Sequence, residues 1–242
     1  MTRTVPIAGM AALSLTACAT APSDPALEQF GGMREVMRQK RTEARVQLRE
    51  RDARDMIAVG ALEGLAGEIT SDGERWWIAT ASANEVRIEH EVGARAATLL
   101  TLARVARWDE VVADAPLDEA ALATLVAGHL TAHGIDPKTP WPLRVIGVAD
   151  ELALHVIRGD CPHAGDEQTP AFRWEAPRGA AVTLIGFCAP DAAGLMTHHG
   201  TAFHLHAIAS RDGTAISGHV DRFRVAQGAR VQVAAVPERG AR

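Results

Sequence analysis

The chain has 242 residues, 47% of them apolar, and a formal net charge of −5. That length builds one compact domain or two small packed lobes, and the acidic balance offers no electrostatic footprint for nucleic acid. Tyrosine is absent and only 5 Trp and 5 Phe occur, too few aromatic faces for a base-stacking platform.

The amino terminus reads as a processing signal. Arg3 precedes an apolar run from Val5 to Ala17, too short to span a bilayer and suited to a signal-peptide core. Leu15-Thr16-Ala17-Cys18 resembles the bacterial lipobox. Residues 1–17 are then expected to be removed and Cys18 to carry diacylglycerol. A plain secretory peptide cut beside Ala17 or Ala19 is the alternative. Each acyl chain adds about 0.8 kcal/mol per buried CH₂, so several chains make a stable membrane anchor. In a Gram-negative cell, Ala19 rather than Asp at the second mature position would favour the outer membrane, facing the periplasm. Cys161 and Cys188 would lie in an oxidising compartment, where a disulfide and two buried thiols both remain open.

Ala19 to Pro25 is a short tether. From Leu27 to Asp55 the chain is rich in charge, with Leu27, Phe30, Met33, Met37, Ala44 and Leu48 at helical spacing, which predicts a helix with a solvated basic face. Residues 18–55 are therefore read as lipidated cysteine, tether and charged helix, and 56–242 as the folded domain. Ile57 to Ile69, with Gly60, Gly64 and Gly67, predicts short strands and a tight turn. Ser71-Asp72-Gly73 turns into Trp76-Trp77-Ile78, a hairpin signal. Ala94 to Trp108 predicts a buried strand or strand pair. Pro116 and Asp118 open a helix carrying Leu122, Leu125, Val126, His129 and Leu130, and Gly134 closes it. Leu143 to Val148 and Leu152 to Arg158 flank a predicted turn at Ala149-Asp150, and Val182 to Phe187 is a further strand. The fold class expected is α+β, with mixed β-sheets in two packed lobes.

Histidine is distributed unevenly: seven of the ten lie after residue 150. Ala202 to Ile208 alternates, so His204 and His206 share one face while Phe203 and Leu205 take the other. Asp212-Gly213 suits a two-residue type I′ turn. With that turn Arg211 opposes Thr214, and His206 opposes His219. Directly paired residues have Cβ atoms about 4.5–5.5 Å apart, so His204, His206 and His219 converge on one side of a β-hairpin in the C-terminal lobe. Three imidazoles with a fourth position open suit Zn²⁺ in a catalytic site, and other divalent transition metals accept the same donors. His198 and His199 lie just upstream, as loop residues or as groups at the site's entrance.

Gly186-Phe187-Cys188-Ala189-Pro190, Phe203-His204-Leu205-His206 and Gly218-His219-Val220 together resemble the carboxyl-terminal core of the acetolactate decarboxylase family. Gly64-Leu65-Ala66-Gly67-Glu68 resembles that family's GLDGE motif, and Val156-Ile157-Arg158 its AIR strand. The matches keep the family's order over roughly Ile57 to Val236. The pattern departs at Ala66, where the family has aspartate, at Ala61, where it has threonine, and at the carboxyl end, where only Glu238 stands near a second family glutamate. The His206-to-His219 gap is also slightly longer, by a residue on each arm.

The resemblance implies His204, His206 and His219 as metal ligands, Arg158 as the group holding the substrate carboxylate, and Glu68 in proton transfer. It implies a lyase that takes a small 2-hydroxy-3-oxo acid such as acetolactate to acetoin and CO₂, with a homodimer admissible. An exported metal-binding protein on the same scaffold, hydrolytic or only ligand-binding, is the alternative. A cupin is disfavoured because Ser210 stands where its first motif needs glutamate.

Overall fold

The computed structural model describes residues 25–159 and 171–236. The lipobox with Cys18, the loop with Cys161 and the residue Glu238 lie outside them.

Two antiparallel sheets pack face to face. The first contains β1 (Leu27–Phe30), β2 (Val46–Gln47), β3 (Met56–Leu62), β4 (Glu68–Asp72), β5 (Trp76–Ala81), β6 (Val86–Glu89) and β7 (Ala96–Arg104), in the order β1-β7-β3-β4-β5-β6 with β2 also on β7. The second contains β8 (Trp108–Val112), β9 (Trp141–Val156), β10 (Phe172–Glu175), β11 (Ala181–Cys188), β12 (Phe203–Arg211), β13 (Thr214–Val225) and β14 (Arg230–Ala234). Its order is β11-β12-β13-β9-β14-β8, and β11 pairs β9 as well. One half of the long β9 thus pairs β11 and the other half pairs β13, which closes β9, β11, β12 and β13 into a small barrel. The expected architecture of two packed β lobes holds.

The near-continuous apolar run of β3 reflects burial on both faces. Ile57 and Val59 join Leu143, Leu154, Leu184 and Phe187 of the second sheet in the main core. Met56 and Ala58 point the other way, into a cluster with Leu48, Ile69, Ile78 and Leu100. The same alternation turns Ile69 into that outer cluster and leaves its neighbours Glu68 and Thr70 facing the second sheet.

α2 (Glu119–Ala132) forms where the sequence predicts it. The Asp118 side chain accepts from the Ala121 backbone N–H at 3.0 Å, satisfying one orphan donor of the first turn. Leu122, Val126 and Leu130 are fully buried, and Gly134 takes φ +71° just past the end.

Two expectations need correction. The helix predicted from Leu27 to Asp55 shrinks to α1 (Met33–Gln39). Leu27–Phe30 instead pairs with Leu100–Ala103 of β7, and Gly31, at φ +70°, lets the backbone approach Thr98 O where a Cβ would come within 2.4 Å. Lys40, at φ 57°, stops α1 in the left-handed region. Strand pairing overrides helical spacing here, so the fold begins before residue 56. The second correction concerns Ala149-Asp150, which does not turn the chain. β9 runs straight through, and its register against β13 slips between Glu151 and Ala149, a bulge that absorbs Asp150.

Candidate metal centre

Asp212 and Gly213 adopt φ 50° and φ 81°, the two positive values a type I′ turn requires. Arg211 pairs with Thr214, and His206 pairs with His219. The hairpin register is the one the sequence predicts. Ring centroids of His204, His206 and His219 lie 5.3–5.5 Å from one another, and one nitrogen from each falls within 4.8 Å of the others.

The neighbouring strands bring the cluster to the seam between the sheets. Gly186 of β11 opposes Leu205, and a Cβ there would stand 2.0 Å from His204 O. From β4, Thr70 Oγ1 lies 2.8 Å from His206 Nδ1 and 3.1 Å from Ser217 Oγ. Thr70 thereby occupies one nitrogen of His206 and leaves the other for a ligand. His206 Nε2 and His204 Nδ1 are buried and have no hydrogen-bond partner.

Burial pushes the His204 imidazole down to about 3, with His198 adding to the effect. His206 and His219 are also held well below the ordinary range, by burial first and by neighbouring imidazoles second. All three rings are therefore neutral and present lone pairs. Orphaned buried nitrogens that cannot accept protons suit a divalent cation. The cluster is compatible with one.

Glu68 and Arg158 sit beside these histidines. A cavity of about 520 Å³ is lined by both, by His155, His198, His204 and His219, by Met33 and Val36 of α1, and by Leu65 and Leu99. Glu68 is 4% exposed. Its Oε1 accepts the Ile157 backbone N–H at 3.3 Å, and its Oε2 lies 3.7 Å from His206 Nε2. Burial raises the Glu68 carboxyl to about 7, against smaller opposing pulls from His155 and the Ile157 N–H. A second link, from the Gly159 N–H to Leu65 O at 2.7 Å, fixes the Glu68 and Arg158 segments side by side.

Sequence reasoning missed His155 and the Asp221 and Arg173 side chains behind it. His155 lies directly across β9–β13 from His219, and its ring centroid is 4.9 Å away. Its Nδ1 is 2.7 Å from Asp221 Oδ1, and Asp221 Oδ2 accepts from Arg173 Nη1 at 2.7 Å. Burial opposes the charge on His155, yet the Asp221 hydrogen bond and the Glu68 and Asp221 charges raise it overall. The clue was Asp221 itself, close behind His219 on one strand. His198, expected as a loop residue or an entrance group, does line the cavity, its ring edge-on to His219 at 5.4 Å.

No protein-family model matches the chain, and no curated protein matches it. Solved structures do. Alpha-acetolactate decarboxylase from Bacillus subtilis strain 168 superposes with a TM-score of 0.65 at 13% identity, over 88% of this chain and 90% of that one. Acetolactate decarboxylase from Bacillus subtilis subspecies spizizenii gives 0.62 at 15% identity, over 88% and 90%. A Staphylococcus aureus protein of unknown function, described as similar to alpha-acetolactate decarboxylase, gives 0.61 at 15% identity, over 86% and 84%. The fold is shared. At such identities the likeness extends to the fold and no further.

Proposed function

We propose that the protein is an exported, lipid-anchored, metal-dependent decarboxylase of a 2-hydroxy-3-oxo acid, acetolactate or an analogue. One observation carries the reading: three neutral imidazoles converge beside the buried carboxyl of Glu68, and two of them, His204 and His219, line one cavity with Glu68 and Arg158. The shared fold supports it.

His204, His206 and His219 would hold the ion, with zinc suited to the donor set. A divalent cation there would supply Lewis acidity toward vicinal hydroxyl and carbonyl oxygens of a substrate. Arg158 orients the substrate carboxylate. As the carbon–carboxylate bond breaks, CO₂ leaves and the bonding pair moves onto the adjacent carbonyl. Glu68, whose carboxyl burial raises to about 7 in the metal-free protein, delivers a proton to the carbon that lost CO₂. The Ile157 N–H holds Oε1, so Oε2 is the atom presented for that transfer. Met33, Val36, Leu65 and Leu99 keep the cavity wall apolar, which strengthens these charge interactions.

Zinc-loaded protein given acetolactate should release CO₂ and acetoin above a metal-only control. Arg158→Ala should lower kcat/KM by about 100-fold, a loss of the size expected for a charge-assisted contact. No release above the control overturns the assignment. The His155–Asp221 pair is the observation that favours a hydrolytic reading, because a carboxylate-backed imidazole serves a general base. Turnover of esters or lactones without CO₂ release would select that reading.

The anchor belongs to the same proposal and rests on Leu15-Thr16-Ala17-Cys18. Labelled palmitate should enter the wild-type chain and not Cys18→Ser. Equal labelling of both would reject lipidation at Cys18.

A further inference from the structure

We infer a second divalent-metal site, formed by Asp109 of β8 with His129 of α2 and His133, the residue that caps α2 at its carboxyl end. None of the three lines the cavity around Glu68. The two histidines are four apart at the carboxyl end of α2, so their rings share a side, with centroids 4.4 Å apart. One donor atom from each of the three residues falls within 4.8 Å of the others.

The finer geometry fits an ion better than a simple ion pair. Asp109 Oδ2 stands 3.4 Å from His129 Nε2. With metal–ligand bonds of about 2.0–2.1 Å, that separation subtends about 110° at the ion, the tetrahedral angle. The His129 side chain is 10% exposed, and its buried Nε2 makes no well-formed hydrogen bond, only the long contact with Asp109. A buried imidazole nitrogen left without a well-formed partner costs stability, and an ion between it and the carboxylate would satisfy both. His133 Nδ1 donates to the His129 carbonyl at 2.9 Å. That bond sets the tautomer and leaves the His133 Nε2 lone pair as the donor. A His129–Asp109 ion pair would not need His133 at all.

Two imidazoles and a carboxylate form a zinc-type donor set, with water completing the sphere on the exposed side. The ligands belong to different elements, and β8 is the edge strand of its sheet, paired with β14. An ion here clips α2 to that edge. The role is structural and independent of the reaction proposed above.

Zinc binding by the purified full chain, measured in competition with a chromophoric chelator, tests the site. Wild type should bind one equivalent more than His133→Ala or His133→Gln, whatever number the cavity cluster binds, because that number cancels in the difference. Asp109→Asn should weaken the extra equivalent at least 10-fold. Circular dichroism checks that each variant is folded, and His133 is exposed, which leaves the core untouched. Equal stoichiometry in wild type and both His133 variants overturns the site. So does an affinity unchanged in Asp109→Asn, which would mean a bare histidine pair on a helix.

Discussion

Thr70 Oγ1 lies 2.8 Å from Nδ1 of His206, and this contact ties the first sheet to the most buried ring of the histidine cluster. The partner of the far imidazole nitrogen sets both ring orientation and ligand basicity. Thr70→Val keeps the shape and removes the hydroxyl. Zinc affinity at the cavity cluster should fall about 10–100-fold, while Thr70→Ser stays close to wild type. Chelator competition reads both, and an unaltered Thr70→Val would reduce Thr70 to packing.

The metal-free protein should be acid-sensitive. Folded His204 titrates near 3, and His206 and His219 also lie well below the ordinary 6.5. Above 6.5 these rings are neutral in both states and cost nothing. As pH falls from 6.5 toward 3 the unfolded chain takes up protons that the folded chain refuses, so stability drops. Urea midpoints at a series of pH values should show this, and His204→Asn should remove about one proton from the slope across that window.

Glu68 works in the opposite sense. Its carboxyl is held at about 7 against an ordinary 4.5, so between those values the unfolded state has already lost its proton. Stability therefore falls as pH rises from 4.5 to 7, by on the order of 3 kcal/mol, and levels off above. Metal-free Glu68→Gln should lack this decline. Its melting temperature relative to wild type should climb across the window, and a constant difference would refute burial as the cause. In the zinc-loaded protein the same variant should lose activity by about 10²–10⁴-fold, since it cannot deliver a proton.

Gly186→Ala should disturb the centre without touching a ligand. The added methyl meets His204 O at 2.0 Å, and the backbone sits at φ +154°. One of β11 and β12 must shift, at a cost of about 1–3 kcal/mol by analogy with overpacking. Thermal melts should show the loss, and zinc affinity should fall with it because His204 moves.

Local rules were enough to read the hairpin from the chain. Alternation put His204 and His206 on one face, and Asp212-Gly213 set the register that places His219 opposite His206. Strand period and turn chemistry act over a few residues, which is why both were legible. The same holds for α2, where Asp118 and Gly134 mark the ends.

The partners of that hairpin were another matter. Leu27–Phe30 carries helical spacing, yet pairing with β7 makes it a strand. Ala149-Asp150 has turn chemistry, yet partners on both sides draw it into one long strand with a bulge. His155 reaches His219 only because β9 lies beside β13, and Thr70 reaches His206 only because the two sheets stack. Those contacts span long stretches of chain. Hydrogen-bonded pairing and apolar burial between distant segments decide them, and no short window of residues encodes either.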